Sequence, residues 1–186
     1  MRTKNNKKGV VILDCPLIFL KEMINIRIFS ADQATLNSAY AVWVDSELIT
    51  YDKVTADKKI KDYKRSFQMV DLLIEKIKEF KPDLVILEGA FSNGNVKTFG
   101  MLSCLRGMTM ERLRQEGFDF EIVEPVTWKS ALKITGKRPI QKEKSIEIAE
   151  NIFGIDLWND DDLADAINIG GYAVMKHEGV NHYNNE

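Results

Sequence analysis

The sequence predicts an α/β fold in which a mixed five-stranded sheet is flanked by helices. Two observations carry this prediction. Three strand-like runs follow one another closely over residues 24–30, 38–44 and 47–54, and strands joined by tight turns pair antiparallel. Two further runs alternate with longer segments whose apolar residues recur at helical spacing, which is typical of parallel strands joined by helices. With 186 residues, 45% of them apolar, the chain is long enough to bury one substantial core.

The N-terminal half contains the three closely spaced strands, a helix and a fourth strand. Asp45 and Ser46 separate the second and third strands and predict a hairpin turn. Apolar residues then recur at intervals of three and four, which predicts a helix from about Tyr63 to Phe80. Pro82 breaks this helix, and the apolar run from Leu84 to Glu88 predicts a buried strand.

The C-terminal half contains the fifth strand among four helices. The predicted elements are a helix over residues 96–116 that ends at Gly117, a strand over 118–123, a helix over 127–134, a basic loop at 136–139, and helices over 141–153 and 161–176.

The chain is expected to have three parts: an N-terminal extension over residues 1–22, one domain over 23–178 and a polar tail over 179–186. Its basic and then apolar start is similar to a secretory signal. However, Asp14 and Pro16 interrupt the apolar run, which is also too short to span a bilayer. We therefore expect no membrane association and a cytoplasmic location.

Cysteine and histidine are scarce, which argues against sites built from thiol or imidazole groups. Cys15 and Cys104 lack the close spacing of a metal site, and a disulfide framework is not expected, in keeping with a reducing compartment. His177 and His182 both lie near the C-terminus, so neither a zinc site nor a histidine-based catalytic triad is expected.

Charge is distributed unevenly behind a net charge of −2. Residues 96–144 carry 10 Lys or Arg and 6 Asp or Glu, a net +4, whereas residues 145–186 carry 1 and 9, a net −8. A basic middle and an acidic end suit a protein that holds phosphates with one region and metal ions with another. Solvated helix faces produce the same pattern, so both interpretations stay open on charge alone.

Four acidic residues fall where α/β folds place ligands. Asp32 follows the first strand and Glu88 ends the fourth, and ligands bind at the carboxyl ends of strands. Asp162 and Asp165 are three apart, hence on one face of the last helix. Singly, each residue has a structural explanation as a turn, a cap or a partner of the helix dipole. Together they match a two-metal phosphodiesterase site, in which Mg²⁺ binds carboxylate oxygens.

The residues around these acids form an ordered set. The set consists of Asp32 with Thr35, Ser38 and Tyr40, of Glu88 with Phe91, of Arg106-Gly107 on the long helix, and of Asp162-Leu-Ala-Asp165-Ala166. Over about residues 23–175 this set resembles the RuvC family of Holliday-junction resolvases, in particular its phage-borne members.

This resemblance implies a ribonuclease H-like fold and Mg²⁺-dependent hydrolysis of DNA phosphodiesters. Two Mg²⁺ ions, or Mn²⁺ in their place, would be held by the catalytic acids Asp32, Glu88, Asp162 and Asp165. Lysines would stabilise charge on the scissile phosphate. The matching positions are Lys129 and Lys144, with Lys142 as the alternative to Lys144 and Asp161 as the alternative to Asp162.

The implied substrate is branched DNA, chiefly a four-way junction cut by symmetric nicks during recombination, repair or phage DNA processing. A homodimer is implied as well, since a C2 dimer presents two sites to a two-fold symmetric junction. The residues expected to contact DNA are Phe91, Arg106, Lys137, Arg138 and Lys142.

Two alternatives remain open at the level of sequence. The first is a broader flap or branched-DNA endonuclease, or a ribonuclease H, built on the same fold and metals. The second is a non-catalytic DNA-binding protein that retains the fold. The presence of all four acids argues against a non-catalytic protein, because carboxylates that face phosphates weaken DNA binding unless they hold metal ions.

Overall fold

The computed structural model describes residues 26–90 and 95–183, and their strands and helices follow the predicted order. In chain order they are β1 (Arg27–Asp32), β2 (Asn37–Val44), β3 (Glu47–Thr55), α1 (Asp62–Phe80), β4 (Leu84–Glu88), α2 (Val96–Glu116), β5 (Phe120–Val123), α3 (Pro125–Ala131), α4 (Arg138–Phe153) and α5 (Asp161–Glu178). None of the helices within these two ranges combines the length and apolarity needed to cross a membrane.

The strands form one mixed five-stranded sheet in the order β3-β2-β1-β4-β5. β1, β2 and β3 pair antiparallel in sequence, whereas β4 is parallel to β1 and β5 is parallel to β4. The β2–β3 hairpin turns at Asp45 and Ser46, whose φ angles of 52° and 66° are those of a two-residue hairpin turn. The predicted sheet and its turn are confirmed.

Two of the predicted helix starts are wrong, both at prolines, and the helix predicted over residues 127–134 also ends earlier, at Ala131. The basic loop expected at residues 136–139 ends early, because α4 already begins at Arg138 and has Pro139 in its first turn. α3 likewise begins at Pro125 rather than at Thr127. Proline is favoured in a first helical turn, where its missing N–H would have had no partner within the helix.

The sheet is buried on both faces. One face packs against α3, α4 and α5 around Trp43 and Trp128, and the other packs against α1 and α2 around Phe29 and Tyr40. Neighbouring residues of β2, such as Val42 and Trp43, belong to opposite faces, as the pleat of a strand requires. Tyr40, Trp43 and Trp128 are packing residues of this core, since each is at most 3% exposed.

Helix α5 approaches the sheet closely, and this contact brings its acids to the end of β1. A Cβ atom at Gly170 would lie 2.0 Å from Trp43 Nε1 and 2.6 Å from Ser30 Oγ, so a glycine is needed there. Four residues earlier, the carbonyl of Ala166 accepts a hydrogen bond of 2.7 Å from the same Ser30 hydroxyl. The first two turns of α5 therefore lie beside the carboxyl end of β1.

Candidate active site

Four carboxylates converge in one cleft at the carboxyl edge of the sheet. Asp32 is the last residue of β1 and Glu88 is the last residue of β4, and these two strands are parallel neighbours. Asp162 and Asp165 reach the same cleft from the first turns of α5. The cleft has a volume of about 830 Å³. Acids that are up to 133 residues apart in the sequence thus share one site.

The electrostatics of the cleft favour a bound cation. Burial raises the pKa of Asp32 well above its usual range, and neighbouring carboxylates, first that of Glu88, raise it further. Burial and the charge of Asp165 raise the pKa of Glu88 to about 7. Burial also raises the pKa of Asp165. Buried carboxylates that repel one another in this way need protons or bound cations to neutralise their charge.

Helix α3 supplies two partners to these acids. Trp128 Nε1 donates a hydrogen bond of 2.9 Å to Glu88 Oε1, which orients that carboxylate. The next residue, Lys129, places its Nζ atom 3.3 Å from Asp165 Oδ2. The same Nζ atom lies 4.8 Å from the centre of the Trp128 ring. The predicted site residue Lys129 therefore belongs to the acidic cleft.

A second lysine, Lys53, was not among the predicted site residues and reaches the acids from β3. Lys53 Nζ lies 2.7 Å from Asp160 Oδ1 and 2.8 Å from Asp162 Oδ2. Lys53 belongs to the edge strand β3, which has no recognisable motif, and it is 109 residues from Asp162 along the chain. No local signal therefore points to it.

Oxygen is the sole ligand type that these four acids offer, and hard divalent cations prefer oxygen. Across residues 26–90 and 95–183, no three His, Cys, Asp or Glu side chains are already arranged as a metal-binding cluster. Lysine ammonium groups are paired with two of the acids, Asp162 and Asp165. The acids fit a divalent cation in chemistry and in charge, since buried, mutually repelling carboxylates gain the most from one.

The basic residues around the cleft separate into two groups. Arg106, Arg138 and Lys142 line the cleft together with Lys129, whereas Lys137 and Lys144 are not among its lining residues. Lys142 and Lys144 lie on one helix two positions apart, so they point in different directions.

Asp161, the alternative to Asp162, also lines the cleft and forms an ion pair with Lys142. Asp162 is among the carboxylates that raise the pKa of Asp32. Phe91, which was predicted to contact DNA, lies outside the described residues.

Comparison with known proteins identifies the family. Residues 20–175 match the phage proteins described as Lactococcus phage M3 protein. A crossover junction endodeoxyribonuclease RuvC from Bifidobacterium adolescentis is 30% identical over 133 residues, which cover 71% of this chain and 68% of that protein. The chain belongs to this phage family and to the RuvC family. A RuvC from Thermosipho melanesiensis is 28% identical over 120 residues, which cover 64% of the chain and 75% of the relative.

Solved RuvC structures share the fold of this chain. Thermus thermophilus RuvC in complex with Holliday junction substrate aligns with a TM-score of 0.64 at 15% identity, over 81% of this chain and 95% of that one. The fowlpox virus resolvase, also in complex with Holliday junction DNA, aligns with a TM-score of 0.55 at 18% identity, over 81% and 97%. The predicted ribonuclease H-like fold is confirmed, as is the resemblance from which it was inferred.

Proposed function

We propose that this protein is a divalent-metal-dependent endonuclease that resolves four-way DNA junctions by symmetric nicking. The observation that carries the proposal is the convergence of Asp32, Glu88, Asp162 and Asp165 in one cleft with a basic rim. RuvC relatives named crossover junction endodeoxyribonucleases support the same reaction. The junction itself is supported by two similar folds that were solved with Holliday junction DNA.

The metal is proposed to be Mg²⁺, with Mn²⁺ able to replace it, because the acids offer only hard oxygen ligands. The four carboxylates would hold the metal ions. Bound divalent cations supply an activated water and a counter-charge for the leaving oxygen. The protein itself holds the acids in a fixed arrangement before the substrate binds. Trp128 fixes the orientation of Glu88, and the burial of the cleft strengthens each electrostatic contact within it.

The basic rim is proposed to hold the phosphates of the DNA strand that is cut. Lys129 is the cation nearest to the acids on the α3 side, and it is the candidate to stabilise charge on the scissile phosphate. Arg106, Arg138 and Lys142 extend the positive charge along the same cleft. Contacts of this kind are electrostatic and independent of base sequence, as expected of an enzyme that selects its substrate by shape.

The protein is proposed to act as a homodimer in the bacterial cytoplasm, where phage and host DNA recombine. A groove of about 610 Å³ between α1 and α2 supports the dimer, because apolar side chains such as Val70 and Met108 line it beside the charged Asp71, Glu111 and Arg112. Phe67 also lines the groove and is 54% exposed. Apolar surface of this kind is typical of an interface. Two copies related by a two-fold axis would match the symmetry of the junction.

A cleavage assay on defined substrates tests the proposed function. A labelled four-way junction, a flap, a plain duplex and an RNA–DNA hybrid are incubated with the protein in Mg²⁺ and in EDTA. We expect paired, symmetric nicks in the junction that depend on Mg²⁺. Comparable cutting of flaps and junctions would instead indicate a broad branched-DNA nuclease, and preferred cutting of the hybrid a ribonuclease H. Binding without cutting in Mg²⁺ or Mn²⁺ would overturn the catalytic proposal.

The two lysines predicted beside the phosphate should differ in importance. We expect Lys129→Ala to slow junction cleavage about 100-fold, the usual loss when one charge-stabilising donor is removed. Lys144→Ala should have little effect, because Lys144 does not line the cleft. Single-turnover rates at saturating protein measure the difference.

Lys142→Ala belongs in the same series, since Lys142 lies on the same helix as Lys144 but lines the cleft. Its cleavage rate should fall between those of the other two variants. A loss for Lys144→Ala as large as that for Lys129→Ala would contradict this prediction and place Lys144 beside the scissile phosphate as well.

A further inference from the structure

A buried hydrogen-bond network ends on Asp165, and it involves two residues that do not line the cleft, Ser145 and Asn168. Ser145 Oγ on α4 donates to Asp165 Oδ1 on α5. Asn168 Nδ2, one turn after Asp165, donates to the backbone oxygen of Ser145 at 2.9 Å and to its Oγ atom at 2.9 Å. Ser145 and Asn168 are both completely buried. Burying a polar group away from water costs free energy unless the group is hydrogen-bonded. These hydrogen bonds therefore offset the cost of burying Ser145 and Asn168.

The direction of each hydrogen bond in the network is determined. The carbonyl oxygen of Ser145 can only accept, so the amide of Asn168 must present its NH₂ group to it. That NH₂ group also donates to Ser145 Oγ, which leaves the single hydroxyl proton of Ser145 for Asp165. Asn168 therefore forces Ser145 to act as a donor toward the carboxylate.

The consequence for Asp165 is a fixed orientation. Its Oδ1 atom is held by Ser145, while its Oδ2 atom is turned toward Lys129, 3.3 Å away. Each oxygen of the carboxylate therefore has its own partner, and the two contacts together hold the side chain in one orientation. One oxygen remains directed at the cleft, where a cation or the lysine can reach it.

Asn168 is held from its other side by the C-terminal segment. Tyr183, in the stretch that was expected to be a polar tail, packs so closely on α5 that a Cβ atom at Gly171 would lie 2.0 Å from its hydroxyl oxygen. This hydroxyl donates to Asn168 O at 3.4 Å. Burial raises the pKa of Tyr183, so the phenol remains protonated and acts as a donor. The network therefore continues from the cleft to residue 183.

We propose that Ser145 and Asn168 are positioning residues, which set the affinity of the site for its divalent cation by orienting Asp165. The inference rests on the proposed function, in which Asp165 is a metal ligand. Hydrogen bonds to metal-binding carboxylates typically change metal affinity by about 10- to 100-fold.

The test measures metal binding separately from cleavage. DNA-free protein is titrated with MnCl₂ by calorimetry, and the Mg²⁺ concentration for half-maximal junction cleavage is measured in parallel. Ser145→Ala should weaken Mn²⁺ binding about 10-fold and raise the half-maximal Mg²⁺ concentration by a similar factor. The cleavage rate at saturating Mg²⁺ should fall much less. Ser145→Thr, which keeps the hydroxyl, should restore metal affinity.

The matched control is Ser66→Ala. Ser66 is likewise a fully buried serine on a helix, but its hydroxyl meets no hydrogen-bond partner among the described residues. If Ser145→Ala does not fold, Ser145→Cys replaces it, because a thiol keeps the volume and donates only weakly. Metal affinity equal to that of Ser66→Ala would overturn the inference.

The outcome also separates this inference from the proposed function. Wild-type protein that binds Mn²⁺ but cuts no junction would refute the proposed function alone. Wild-type protein that cuts, with a Ser145 variant of unchanged metal affinity, would refute the positioning role alone.

Discussion

Glu88→Gln should abolish junction cleavage, with a loss on the order of 10³-fold. The substitution keeps the size of the side chain and its position at the end of β4, but it removes the negative charge that a metal ligand needs. Junction binding should persist and even tighten, because one charge that repels DNA phosphates is lost while the basic rim is retained. Cleavage rates in Mg²⁺ and electrophoretic binding in EDTA measure the two effects separately.

Matched variants make this prediction specific to the cleft. Glu75→Gln on the exposed face of α1 changes the same charge away from the site and should cleave normally. Asp32→Asn, Asp162→Asn and Asp165→Asn should behave as Glu88→Gln does, and Asp161→Asn decides between the two neighbouring acids. Any one of these acids whose amide variant cuts within about twofold of the wild-type rate would be struck from the site.

Glu88→Gln should also change how the stability of the metal-free protein depends on pH. The pKa of Glu88 is raised from 4.5 to about 7, so the folded protein binds this proton more tightly than the unfolded chain does. The free energy of unfolding should therefore fall as pH rises from about 4.5 through about 7. At roughly 1.4 kcal/mol per pKa unit, the fall amounts to about 3 kcal/mol at most. Asp32, whose pKa is also raised, contributes with the same sign.

Urea unfolding in EDTA at pH 5 and pH 8 measures this dependence. Wild-type protein should be less stable at pH 8 than at pH 5, and Glu88→Gln should lose a large part of the difference because glutamine does not titrate. Mg²⁺ should raise the stability of wild-type protein at pH 8, since a ligand that binds only the folded state stabilises it. Equal pH dependence in the two proteins would mean that Glu88 titrates normally.

The positions of the acids were predictable because their signals are local. Asp32 and Glu88 end apolar runs, and Asp162 and Asp165 have the spacing of one helical face. Strand ends and helix faces follow from short-range periodicity, so the sequence could indicate which acids share an edge. The two helix starts that differ from the prediction lie at prolines, since Pro125 and Pro139 stand in the first turns of α3 and α4 rather than before them.

The partners of the acids were not predictable in the same way. Trp128 reaches Glu88 across 40 residues of sequence, Ser145 reaches Asp165 across 20, and Lys53 reaches Asp162 across 109. Each partner comes from a different element, and its contact exists only after the sheet has formed and the helices have packed on it. Similarly, only the direction of the α4 face distinguishes Lys142, which lines the cleft, from Lys144, which does not.

The sequence by itself therefore determined the order of strands and helices, the mixed sheet and the positions of the four acids, because each depends on patterns within single elements or on the order of elements along the chain. The tertiary structure alone decided which groups orient and neutralise those acids. Such contacts join residues whose separation along the chain is unrelated to their distance in space, and they depend on how closely helices such as α5 approach the sheet.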